Sequence, residues 1–211
     1  RGVANGPNNG SGLPPTVTRI PPHGAAFCTA CPGGTMPPTS TLNPAAGRVT
    51  PNLVMAQVSP AGTVCFFANT AIDLVVDVVG YVAAGASNRF TPSTPFRFTD
   101  TRDGSRPAIS AGQNGTRLAA GQTLVVQVAG LRGVPSAARA ISANLTVVDA
   151  TDRGFVTAFP CGSVPTASNV NDEVAAAVAN AAELPLSSNG SICSYSSSSA
   201  QVIIDVNGWW S

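Results

Sequence analysis

Five cysteines, one histidine and a handful of aspartates are the residues in this 211-residue chain whose types could do chemistry. Cys28-Thr29-Ala30-Cys31 has CxxC spacing. A zinc ribbon needs a second CxxC and a redox pair needs a βαβ setting, and the sequence offers neither. A hydrolase triad would have to draw its base from His23, the only histidine, in Ile20-Pro21-Pro22-His23-Gly24. A Ser or Cys nucleophile needs a base held by a third group, so His23 is read as a loop residue. Asp100 and Asp103 would be the acid and base of a glycosidase, but both fall in one Thr-Asp-Thr-Arg-Asp-Gly turn. No P-loop, Rossmann glycine pattern or HExxH is present. The expectation is a chain with no catalytic residues, no metal and no cofactor.

Two aspartates pose a different question. Asp77 and Asp205 each end a strongly apolar run, where a carboxylate is costly unless it is paired or hydrogen-bonded. Each is expected to accept backbone N–H groups in a turn near Gly80 or Gly208, or to pair with Arg97 or Arg102. Asp100 lies in an Arg-Asp-Arg cluster that can satisfy itself. Trp209 and Trp210 close the sequence, and Trp209 matches Tyr81 in the repeat described below. An exposed aromatic set of this kind would be a platform for sugar rings; otherwise the rings pack against the fold.

Composition removes whole classes. Charged residues are 10% of the chain, 11 basic against 10 acidic, and every basic residue is Arg. Nucleic-acid binding needs a dense basic face, which this balance cannot supply. The longest apolar runs, Val174–Ala179, Leu74–Val76 with Val78 and Val79, and Val202–Ile204, fall far short of the roughly 20 residues of a spanning helix, so no membrane span is expected. No signal peptide is visible and Arg1-Gly2-Val3 does not read as a translation start, so a mature or trimmed product is expected.

The elements that must position these residues come as a repeat. A shift of 128 residues aligns 26–83 with 154–211 without a gap, with 15 identities in 58 positions, and these include Cys, Asn and Asp, which low complexity does not match by chance. Asn43, Asn52, Gly62, Cys65 and Asp77 fall on Asn171, Asn180, Gly190, Cys193 and Asp205. Ile141, Ala143, Leu145 and Val147 alternate with more polar neighbours as in a half-buried strand, and Thr63–Phe67, Ile72–Val78, Leu124–Val128 and Val202–Val206 are short β-rich runs. Eighteen Pro and 21 Gly leave little room for helices, so the Ala-rich stretch 173–183 is expected to be extended or irregular. The predicted fold is all-β: two related antiparallel β-sandwich-like repeats, 1–83 and 84–211, the first truncated at its N-terminus. Arg1-Gly2-Val3 echoes Arg132-Gly133-Val134, which would leave the first repeat without the strands that Phe96–Val128 supply to the second.

Cys65 and Cys193 are equivalent, and Cys31 and Cys161 differ by two places, which keeps the same face of a strand. The expected disulfides are Cys31–Cys65 and Cys161–Cys193, formed outside the cytoplasm. Cys28 is left as a buried thiol, an alternative partner for Cys65, an intermolecular bridge or a metal ligand.

Phe90-Thr-Pro-Ser-Thr-Pro95-Phe-Arg97-Phe-Thr-Asp100-Thr-Arg102, with Val128-Ala-Gly-Leu-Arg-Gly133-Val-Pro135, Asn144-Leu-Thr146, Thr39–Asn43 and Asp77-Val-Val-Gly-Tyr81, resembles a repeat common in secreted actinobacterial proteins, of pattern F-x-P-x-x-P-x-R-x-x-D-T-R, S-x-L-N and D-V-x-G-Y. The resemblance covers nearly the whole chain. It implies a secreted or cell-surface setting and no known activity. The expected function is a non-catalytic module for adhesion, cell-envelope association or extracellular assembly, polymeric through strand complementation. Its partner would be itself or another extracellular protein. A polysaccharide-binding module using Tyr81, Trp209 and Trp210 is the alternative, and a hydrolase the weaker one.

Overall fold

The computed structural model of the chain describes residues 2–5, 10–13, 15–20, 26–34, 36–102 and 116–211. His23 and Asp103 lie outside these residues. The chain divides into two compact units, Arg1–Ala86 and Ser87–Ser211. The fold is all-β and its strand pairs are antiparallel.

The first unit contains β1 (Gly2–Asn5), β2 (Gly10–Leu13), β3 (Pro15–Ile20), β4 (Cys28–Cys31), β5 (Thr50–Leu53), β6 (Ala56–Gln57), β7 (Thr63–Ala68), β8 (Asp73–Val78) and β9 (Val82–Ala83). The second contains β10 (Phe90–Asp100), β11 (Thr123–Gln127), β12 (Ala140–Val148), β13 (Gly154–Pro160), β14 (Val170–Asp172), β15 (Ala177–Pro185), β16 (Ser191–Ser196) and β17 (Gln201–Trp210).

In the second unit two four-stranded sheets, ordered β10-β17-β12-β15 and β11-β16-β13-β14, share one core. The alternation in β12 sets one wall of that core: Ile141, Ala143, Leu145 and Val147 are buried while their neighbours are not. Leu124 and Val126 on β11, Val156 on β13 and Ile192 on β16 complete the cluster from the other sheet. Each such large apolar side chain contributes about 1.5–3 kcal/mol when fully buried. The Ala-rich stretch of 173–183 is strand over most of its length, paired residue for residue with β12.

The first unit repeats this pairing in shorter pieces. Val17 on β3 pairs with Asn52 and Val76, as Leu145 on β12 pairs with Asn180 and Ile204, each 128 positions on. Together β2 and β3 cover the range of β12, β5 and β6 that of β15, and β8 and β9 that of β17. The polar signature residues repeat their bonds too. Ser40 Oγ donates to Asn43 Oδ1 at 2.8 Å and Ser168 Oγ to Asn171 Oδ1 at 3.2 Å. Asn52 Nδ2 donates to the Thr41 carbonyl at 2.7 Å and Asn180 Nδ2 to the Asn169 carbonyl at 2.8 Å. These motif positions hold the chain to itself.

Two expectations change. The first unit has a strand in the place of β11, because Gly2–Asn5 pairs with β7, with Val3 opposite Cys65, as Val125 of β11 stands opposite Cys193. A four-residue segment without clear alternation takes this place through tertiary pairing, which its local sequence does not announce. The structure forms the Cys161–Cys193 disulfide, with Cα atoms 4.9 Å apart, and not the expected Cys31–Cys65 bond; Cys65 is a buried thiol. Cys31 lies directly opposite Cys65 in the β4–β7 ladder. Facing Cβ atoms in a ladder are about 4.5–5.5 Å apart, wider than the ~3.8 Å a disulfide prefers. Cys161 follows the last residue of β13, where the chain has left the ladder and can close on Cys193.

Gly62 and Gly190 close equivalent turns at positive φ, 76° and 80°. A Cβ on Gly190 would lie 2.5 Å from Ala129 Cβ, whereas Gly121, at φ 78°, has open space. Gly121→Ala should therefore cost about 1 kcal/mol from backbone strain alone. Gly190→Ala should cost at least about 1 kcal/mol more, from overpacking. Urea midpoints of the two variants measure the difference, and equal losses would show that the close approach at Gly190 carries no weight.

Candidate functional site

β10 is an edge strand, which is why it tolerates Pro92 and Pro95. It pairs along β17 with two register slips, the second between Arg97 and Thr99. Phe98 sits in that slip and is fully buried in the core, while its neighbour Arg97 stands opposite Asp205. The Arg97 guanidinium forks onto Asp205, with Nε donating to Oδ1 and Nη2 to Oδ2 at 3.2 Å. Its Nη1 donates to Asp100 Oδ2 at 2.7 Å. Arg102 completes the row by donating to Asp100 from its backbone N–H, from Nε at 2.9 Å and from Nη2 at 2.7 Å. Arg97 is thus the rivet that fixes β10 to β17, and no backbone turn at Gly208 is needed to satisfy Asp205.

Burial pushes the Asp100 carboxyl up, but the hydrogen bonds from Arg102 and Arg97 outweigh it and hold the group at about 2. A carboxyl held below its unfolded value stabilises the fold above that value and loses the contribution as pH falls through the folded one. Both guanidiniums are about a third exposed. The expected loss between about pH 4 and pH 2 is therefore on the order of 1–2 kcal/mol, after allowance for solvent screening. Arg102→Met should move this acid transition to higher pH. Denaturant midpoints across that window test it, and an unchanged acid limb in the variant would remove Arg102 as the cause.

In the first unit, Asp77 on β8 holds the position of Asp205 on β17. Its sheet runs β5-β3-β8, and among the described residues no strand pairs with the far side of β8. No hydrogen-bond or ionic partner meets Asp77 among those residues, and burial alone pushes its carboxyl up. The edge is apolar around it: Val75, Val78 and Tyr81 are 41%, 52% and 59% exposed.

Trp209 and Trp210, two of the three aromatic residues read as a sugar platform, do not share a face. β17 slips register by one residue between Val206 and Gly208, which moves the core-facing side from even to odd positions. Trp209 consequently packs against the core. Trp210 points the other way, donating from Nε1 to Glu183 Oε2 at 2.8 Å and lying 5.1 Å from the Phe90 ring. Tyr81 belongs to the first unit. Among the described residues no three His, Cys, Asp or Glu side chains gather as a metal site would need.

One buried acidic group escaped the sequence reading. Asp172 accepts a hydrogen bond from the Ser198 hydroxyl, and its other carboxyl oxygen has no hydrogen-bond partner. Its repeat counterpart is Pro44, so the repeat comparison carries no signal for it. Burial pushes its carboxyl up, partly offset by Ser198. A raised carboxyl stabilises below its ordinary value and loses that contribution as pH rises through the folded one. Asp172→Asn should flatten the decline in stability between about pH 4 and pH 7. Midpoints at the two pH values measure it, and an undiminished decline would assign the slope elsewhere.

Compared with protein-family models, curated proteins and solved structures, the chain matches none of them. The functional reading accordingly rests on the geometry.

Proposed function

We propose that this chain is a non-catalytic extracellular module that works by surface contact, in adhesion, cell-envelope association or assembly, and that its contact element is the open edge at β8. The observation that carries the reading is the contrast inside one molecule. β17 is covered by β10 and its Asp205 is held by Arg97, whereas the matching β8 and Asp77 have neither among the described residues. An unpaired apolar edge presents a row of N–H and C=O groups that templates another strand. The extracellular setting is supported by the Cys161–Cys193 disulfide, since such bonds persist in oxidising compartments.

The sugar-binding alternative would rest on Tyr81 and on Trp210, which already spends its N–H on Glu183. It calls for saturable quenching of tryptophan fluorescence by a polysaccharide, and flat titrations across cell-wall glycans leave the contact reading in place.

The contact reading is tested by native mass and backbone amide exchange. Species above the 21.1 kDa monomer, or complexes with an extracellular protein, should form with protection of β8 amides. Lysine on the edge, in the double variant Val75→Lys and Val78→Lys, should abolish them, because charged edges resist strand addition. A strict monomer whose β8 amides are already as protected as those of β17 would overturn the reading.

A further inference from the structure

We propose that Asn189 is a self-modifying residue: the Asn189-Gly190 pair closes to a succinimide, loses ammonia and opens to isoaspartate, and this change loosens β11 from its sheet. The pair lies in the turn that joins β15 to β16, and Asn189 is exposed to water. Two hydrogen bonds fold its side chain back over the turn. The Ser191 N–H donates to Asn189 Oδ1 at 3.2 Å, and the Ser187 hydroxyl donates to the same oxygen at 2.6 Å. The first bond closes a ring of atoms that contains the Gly190 nitrogen, so Cγ of Asn189 is held on the side of the turn where that nitrogen lies. Groups held together in one chain react without the entropy cost of meeting, and donors on the oxygen stabilise charge that develops there under attack. Gly190 adds no side chain beside the attacking atom. One bond must be given up, from the Gly190 N–H to the Ser187 carbonyl at 2.8 Å. An exposed turn opens locally at little cost.

The reaction needs only water. The Gly190 nitrogen bonds to Cγ, the Cγ–Nδ2 bond breaks, and ammonia leaves with the proton from the Gly190 nitrogen. Water then opens the ring. Opening at Cγ gives aspartate. Opening at the former backbone carbonyl gives isoaspartate, whose main chain runs through Cγ and is longer by one methylene.

That methylene enters the chain where β11 is tied to β16. Gln127, the last residue of β11, donates from Nε2 to the Asn189 carbonyl at 3.1 Å and accepts from Ser191 Oγ at 2.8 Å. The Val128 and Ala129 N–H groups both donate to the Gly190 carbonyl, at 3.0 and 2.9 Å. Gly190 also packs so closely on Ala129 that a Cβ would lie 2.5 Å from its methyl carbon. A longer main chain displaces all of these acceptors, whereas aspartate keeps them in place.

Asn207-Gly208, in β17, is the same dipeptide in a setting that resists the reaction. Gly208 pairs with Ser142 on one side and Pro92 on the other, and the Thr91 carbonyl oxygen lies 2.5 Å from where its Cβ would be. A five-membered ring there would require opening the sheet.

The test incubates the full chain in mildly alkaline buffer and follows it by peptide mapping, which reads each site separately, and by amide exchange. Conversion at Asn189 should outrun conversion at Asn207 at least about tenfold, the rate scale of a backbone hydrogen bond that stays closed. Isoaspartate should appear at position 189, and hydroxylamine, which cleaves a succinimide, should cut the incubated chain after that residue. The amides of β11 should exchange faster in the converted fraction. Chains carrying Asn189→Asp, which keeps the chain length, or Asn189→Gln, which cannot close a five-membered ring, should retain the exchange of the fresh protein after the same incubation. No conversion at Asn189, or equal conversion at Asn207, would overturn the site. Conversion without faster β11 exchange, or faster exchange in the incubated Asn189→Gln chain as well, would overturn the coupling to β11.

Discussion

The structure depends on how the outer edge of one sheet is closed. Backbone N–H and C=O groups on a strand need partners, and an apolar strand with one unpaired side fails to supply them. In the second unit β10 answers this with a strand that suits an edge position: prolines on its outer part, a bulged phenylalanine driven into the core, and an arginine gripping the neighbouring strand. The ion pair has more than a decorative place in this closure. Asp205 faces a partly dry environment at the end of an apolar strand, and without Arg97 it would oppose the packing that buries Val202, Ile204 and Val206. Asp100 and Arg102 extend the pair into a row, so each charge is shared between partners and no single guanidinium has to leave water alone.

The two units show the same frame under different closure. Pair for pair, β3 with β5 and β8 reproduces β12 with β15 and β17, and the hydrogen bonds of the Ser-x-x-Asn segments recur. What differs, among the described residues, is the cover on the last strand. Ile72, Leu74 and Val76 are only half-buried, and no described residue offers Asp77 the arginine that Asp205 has, so the burial that pushes its carboxyl up goes uncompensated.

Much of this architecture was legible because the signals were periodic or duplicated. The two-residue alternation in 140–148 and the 128-residue shift specify strands and their equivalence directly, and the equivalence of Asp77 and Asp205 followed from the same shift. What the sequence hid was decided by pairing at a distance. Gly2–Asn5 carries no pattern of its own and becomes a strand only against β7. The slip at Asn207 turns Trp209 inward, and a one-residue bulge cannot be counted from side-chain types. The Cys31–Cys65 expectation used face alone: both cysteines face each other inside the β4–β7 ladder, whereas the bond that forms lies past a strand end, where Cys161 can turn toward Cys193. Asp172 has a proline as its counterpart and so lay outside the duplicated signal altogether.

A carboxylate on an apolar edge acts in two directions. Natural sheets discourage indiscriminate pairing by placing charges along exposed strands, since an incoming apolar strand would have to bury them unpaired. Asp77 imposes that cost on any strand lacking a cation at the matching register. On the proposed reading, Asp77 would limit which strands the β8 edge accepts, because a strand that pairs there would have to offer the carboxylate a hydrogen-bond or ionic partner.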